Sequence, residues 1–107
     1  VIPVVLRPQA IEDLREARRY YEEERAGLGD ELRDALDITF ERLQAFPRSA
    51  PPVAGFPGVR RALLPGFPYA VFYLGTSNRI VVLRVVHTVR DPEGWPSGED
   101  TPPVPKK

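Results

Sequence analysis

The spacing of apolar residues changes character once along this chain, from helical to extended, and the switch falls at PRSAPPVAGFPG, a segment between Phe46 and Val59 that holds four prolines and two glycines. A segment of that composition cannot carry either period, so it reads as a surface connection between two kinds of structure. Upstream of it, Ala10, Leu14, Ala17 and Tyr21 recur at helical intervals, with Ile11 widening the stripe, and Leu32, Leu36, Phe40 and Leu43 repeat the pattern, flanked by Ala35, Thr39 and Phe46. Pro8 suits the first turn of the first helix, and Glu12 and Asp13 suit its positive end. Gly27 and Gly29 bracket Leu28 and break the pattern, Asp30 can cap the second helix, and Pro47 ends it. The two helices therefore form an antiparallel hairpin.

Downstream, Val59–Leu64, Tyr69–Leu74 and Arg79–Thr88 are rich in β-branched and aromatic residues and are separated by the turn sequences PGFP and GTSN. Links this short favour an antiparallel meander. A brief β-branched run over Pro3–Leu6 adds a strand before the hairpin. The expected fold is α+β, in the order β-α-α-β-β-β, with the hairpin packed on a mainly antiparallel sheet. In the last strand, alternation places Val81, Leu83, Val85 and His87 on one face and Ile80, Val82, Arg84 and Val86 on the other. The first set is expected to face the core, leaving Arg84 on an open face. Beyond Arg90, DPEGWPSGEDTPPVPKK carries five prolines and is expected to be irregular, with Trp95 docking back on the domain.

Charge is segregated along the chain. Residues 8–46 hold 11 acids and 6 arginines, whereas residues 47–90 hold 6 arginines and no acid, a segregation hidden by the chain's formal net charge of zero. Strand interiors disfavour acids, which explains part of this. The other reading is a positive surface that attracts an anionic partner, either nucleic acid or an acidic protein segment.

The chain has no cysteine and a single histidine, which excludes a disulfide scaffold, a thiol nucleophile and a cysteine-ligated zinc, and leaves no basis for expecting a metal or cofactor. Its 107 residues suit one small domain, and its apolar runs are too short to span a bilayer. The opening VIPVVLRP lacks the features of a secretory signal, and a cytoplasmic location is expected. Chemistry, if any, falls to arginine, histidine and tyrosine. Arg60 and Arg61 are neighbours on a strand and point to opposite faces, so only one can join Arg84. With His87 as acid or base, and Arg90 just past the strand end, such a set could bind and cleave a phosphodiester without metal. The alternative is that Arg84 is a solvated sheet residue and His87 a strand-end histidine bonded to a carbonyl. Tyr69 and Tyr73 read as packing residues.

Three segments in order, AIEDLREARRYYEEERAGLGDEL, VRRALLPGFPYAVFY and IVVLRVVHTVRDPEGW, resemble the RelE/ParE superfamily of type II toxin–antitoxin toxins, nearest its ParE or plasmid-stabilisation branch. The shared features are YYE followed by LG at the hairpin turn, a double arginine opening a strand, FPY before the next, and a last strand ending in histidine, then arginine and Asp-Pro. The resemblance, over about residues 3–95, implies one toxin domain over residues 1–95, the proline-rich 96–107 being expected as a disordered tail, and a partner antitoxin whose C-terminal segment wraps the helices and sheet. RelE-like members cut messenger RNA on the ribosome; ParE-like members inhibit DNA gyrase. Matched by position, the nuclease candidates are Arg60, Arg61, Arg84, His87 and Arg90, and the target-binding candidates Arg84, Arg90 and Trp95. Residues 47–90 contain no lysine, and Trp95 stands where RelE often has tyrosine. Trp cannot act as an acid–base group, which favours a gyrase inhibitor over a ribosome-dependent endonuclease. A third reading is a non-toxic member that only binds its antitoxin. Homodimer and toxin–antitoxin hetero-oligomer both stay open as assemblies.

Overall fold

A computed structural model describes residues 2–89. The order is β1 (Val4–Leu6), α1 (Pro8–Glu24), α2 (Leu28–Ala45), β2 (Val59–Leu63), β3 (Tyr69–Gly75) and β4 (Ile80–His87). The four strands form one sheet in the order β1-β4-β3-β2, antiparallel except for β1, which runs parallel to β4. The expected α+β architecture is present. Among the described residues no helix is long and apolar enough to cross a membrane.

Pro8 opens α1 as its sequence position suggests. Glu12 and Asp13 do not sit in the first turn, however, and Asp13 has another partner, described below. The second helix starts earlier than the glycine pair implies. Gly27, at φ 91°, is its N-cap, and Gly29 lies inside it, buried. Asp30 is not the cap. That role falls to Glu22 of α1, whose two carboxylate oxygens accept the backbone N–H groups of Gly27 and Gly29, each at 2.9 Å. These bonds hold the Glu22 carboxyl below its ordinary value of 4.5. Asp30 instead pairs with Arg18 at 2.7 Å.

The helical stripes meet one face of the sheet. Ala10, Ala17, Leu32, Leu36 and Leu43 are buried against Tyr69, Val71, Tyr73, Ile80, Val82 and Val85. Thr39, also fully buried, donates its hydroxyl to the Ala35 carbonyl one turn back, so it enters the core without an unsatisfied polar atom. Phe46 departs from the stripe it was expected to flank: it lies past the end of α2 and is 65% exposed.

The sheet's second face is not open. Val59, Ala70, Phe72, Leu83 and Val86 form a smaller core there, and Val53 and Phe56 of the proline-rich connection close over it. The same connection covers the outer edge of β2, where Arg61 N–H donates to Pro51 O and Val53 N–H to Val59 O. An edge strand is thereby blunted against pairing with other chains.

The expected facing of β4 is overturned by a β-bulge. Register runs Phe72↔Arg84 and then Tyr73↔Val82, so Leu83 is an extra residue and the alternation changes phase there. Ile80, Val82 and Val85 face the helices, while Leu83 and Val86 face the linker side. A single inserted residue inverts the assignment of every side chain on one flank of it.

Candidate functional site

β1 is only three residues long, because Pro8 turns the chain into α1 immediately after it. The first half of β4 is paired to β1 as far as Val82, and the second half is left beside α1. Asp13 of α1 occupies that edge. One of its oxygens accepts the Val85 N–H at 2.9 Å and the Arg84 Nε–H at 2.7 Å; the other accepts Arg84 Nη2 at 3.1 Å. The side chains of Arg84 and Asp13 are 17% and 13% exposed. Arg84 is therefore not on an open surface: the bulge turns it toward α1, and a helix carboxylate neutralises it. Asp13 was missed by the sequence reading, although its place beside Leu14 and four residues before Ala17 puts it at the margin of the apolar stripe.

Arg84 and His87 share a groove of about 420 Å³ between α1 and β4, with Arg19, Tyr20 and Tyr69 on its walls. The His87 ring meets Tyr69 edge-on at 5.0 Å. Its Nδ1 accepts the Val89 N–H at 3.1 Å, which leaves Nε2 to carry the proton of the neutral ring. Tyr69 and Tyr73 are buried core residues, as packing residues should be.

The double arginine splits as geometry requires. Arg60 reaches under the linker and donates Nη1 to Ala50 O at 2.7 Å and Arg48 O at 3.4 Å. Arg61 is exposed, and its cross-strand partner Phe72 puts it on the linker-covered face. Arg60, Arg61 and Arg84 are thus in three different surroundings. Arg90 and Trp95 lie outside the described residues, as does the 96–107 segment.

A larger groove, about 870 Å³, runs between the two helices. Ile11, Leu14, Leu32 and Leu36 form its floor, and Arg15, Arg18, Arg19 and Arg33 line its walls together with Glu22, Glu23 and Asp30. Ile11 is 42% exposed there. The groove arises because the stripes of α1 and α2 are wider than the sheet can cover, a property readable from Ile11 but not emphasised by periodicity alone.

Sequence comparison with curated proteins returns no match. The structure is similar to the chromosomal ParDE toxin–antitoxin system from P. aeruginosa, with a TM-score of 0.66 and 19% identity, over 78% of this chain and 92% of that one. At that identity the likeness concerns the fold alone. The sequence profile of the family described as the ParE toxin of the type II toxin–antitoxin system parDE matches residues 4–92. With nearly the whole strand–hairpin–meander unit inside that match, the chain belongs to the ParE toxin family of type II toxin–antitoxin systems.

Proposed function

We propose that this chain is a toxin that inhibits DNA gyrase by binding it and is neutralised by a cognate antitoxin. The observation that carries this reading is the dispersal of three of the arginines a nuclease would need, Arg60, Arg61 and Arg84, of which only Arg84 shares a groove with His87. Arg84 is held by Asp13, Arg60 is bonded to main-chain carbonyls, and Arg61 is exposed on β2, with β3 between it and Arg84. Phosphodiester cleavage requires charge-stabilising groups preorganised around one phosphate, and these guanidiniums do not converge. Binding makes no such demand. The antitoxin part is supported by the helical groove, whose apolar floor and arginine-bearing walls suit an amphipathic segment with acids along its flanks.

Supercoiling of relaxed plasmid by purified gyrase is the direct test. Loss of supercoiling with increasing toxin is expected; full activity in excess folded toxin overturns the gyrase reading. Cleavage of ribosome-bound messenger RNA, lost on His87→Ala, would establish the endonuclease in its place. The protein encoded by the neighbouring reading frame is expected to bind this chain and to restore gyrase activity, and an Arg15→Glu, Arg33→Glu variant should bind it more weakly. Neither activity together with retained antitoxin binding would leave the non-toxic reading.

A further inference from the structure

At the end of α2 away from the hairpin turn, a large apolar side chain stands in solvent beside a rigid slot. The Phe46 N–H closes the helix on Arg42 O at 2.8 Å, and Pro47 prevents its continuation. Pro47 O is held by the Tyr73 hydroxyl at 2.9 Å, and a Cβ at Gly75 would lie 2.7 Å from that same oxygen. The chain after α2 is thus seated directly on the end of β3, an approach only glycine permits. Across from it, the β3–β4 turn is fixed by Thr76 Oγ1, which accepts the N–H groups of Asn78 and Arg79. Between these two supports lies a slot of about 630 Å³, bordered by Ala45, Phe46, Pro47 and Arg48 on one side and Gly75 and Thr76 on the other.

The electrostatics of this end are one-sided. Arg48 and Arg79 are exposed and make no salt bridge among the described residues. Burial pushes the Tyr73 hydroxyl above its ordinary value, and Arg60 and Arg42 stand close enough to oppose that in part. No carboxylate occurs from Pro47 to Val89, and the nearest one before it in sequence is Glu41. An exposed phenylalanine at a preformed cavity, with Arg48 on its wall and Arg79 in the turn that borders it, is the anatomy of a binding anchor, since little ordering is needed when the walls are already fixed.

We propose that this end is a docking surface for an acidic protein segment carrying one large apolar side chain, which enters the slot against Phe46 while its flanking carboxylates meet Arg48 and Arg79. The surface shares no residue with the helical groove, so both can be filled at once. A protein segment fits better than a nucleic acid because the slot takes a side chain and Phe46 is the one aromatic lining it among the described residues, too few for a run of stacked bases. The inference concerns the chemistry this end recognises, and it stands or falls separately from the gyrase reading.

The test is an amide NMR titration of the full chain with a short peptide of glutamates and aspartates around a central leucine. Saturable shifts concentrated at residues 45–49 and 75–79 are expected. Phe46→Ala, and Arg48→Glu with Arg79→Glu, should each weaken binding about tenfold or more, and the peptide with serine for leucine should do the same. All three substitutions are at exposed positions, so an unchanged spectrum elsewhere verifies the fold. Absence of saturable shifts, or shifts confined to the helical groove, overturns the proposal. So does a single-stranded DNA oligonucleotide that binds the same residues more tightly than the peptide.

Discussion

Helix α1 extends a carboxylate to a neighbouring element near its start and again near its end. At the root of the hairpin, Asp13 binds a guanidinium and the Val85 N–H of β4; at the tip, Glu22 binds the two N–H groups that begin α2. The chemistry is the same, a chelating carboxylate that satisfies main-chain donors no regular element could reach. The surroundings differ. Asp13 is 13% exposed, whereas Glu22 lies at the solvent-facing end of the hairpin. Where water can replace a lost acceptor the loss is modest, and where it cannot the abandoned donors bear their full desolvation cost. The root therefore fixes the hairpin to the sheet, and the tip fixes the path of the turn.

The largest separation between root and tip is expected for Asp13→Ala. This variant leaves the Arg84 guanidinium half-enclosed without its carboxylate and the Val85 N–H without an acceptor, a combination that costs about 3–5 kcal/mol. For a domain of this size that is a large part of the total stability. Urea unfolding followed by far-UV circular dichroism measures it, and a loss below about 1 kcal/mol would show that water reaches the site and that the contrast with the tip is false. Asp13→Asn should fall between, since an amide oxygen still accepts one bond.

Much of this arrangement is legible before the fold is known, and the illegible part has a common cause. The stripes of α1 and α2 locate both helices because burial enforces their period over several turns. Strand β4 defeats the same logic, since the extra Leu83 leaves no mark in a run of interchangeable aliphatic residues, and every facing on one side of it is then inverted. Arg84, the one charged residue in that run, is the visible trace: a strand covered on both faces tolerates it because a partner is close by. Asp13 and Arg84 are 71 residues apart, too far for any local pattern to join them. Likewise the acid-free stretch from Pro47 to Val89 is plain in sequence, but which arginines remain on the surface is decided by tertiary contacts that occupy Arg60 and Arg84 and leave Arg48, Arg61 and Arg79 exposed.

At the tip, Gly29→Ala tests how closely the helices must approach. The added Cβ would sit 2.8 Å from Glu22 Oε1, 3.1 Å from Arg18 Cγ and 3.2 Å from the Arg18 carbonyl oxygen. The Glu22 carboxylate can swing aside, but only by giving up its bonds to α2, and the main-chain oxygen cannot move without shifting α1. Alanine's better helix propensity offsets part of this. A net loss of about 1–2 kcal/mol is expected, smaller than at Asp13. Stabilisation would mean that the turn has slack and that the Glu22 bonds contribute little to placing α2.

The smallest effect, and the one with a distinctive pH dependence, belongs to Glu22→Gln. The two N–H donors hold the Glu22 carboxyl below its ordinary value of 4.5, so the folded state binds its proton less readily than the unfolded chain does. The resulting stabilisation is fully present above that ordinary value and disappears as the pH falls through the lowered one. Glutamine has one acceptor oxygen, and its amide nitrogen would face the second N–H, so the variant is expected to be less stable than wild type at neutral pH. It has no carboxyl to titrate, so the gap should be constant from neutrality down to the carboxylate range and then close on further acidification. Paired thermal melts of the two proteins across that range read the gap directly. A gap that stayed constant into acid would remove the charged cap from the account of the turn and leave Gly27 and the Gly29 contact to set its geometry alone.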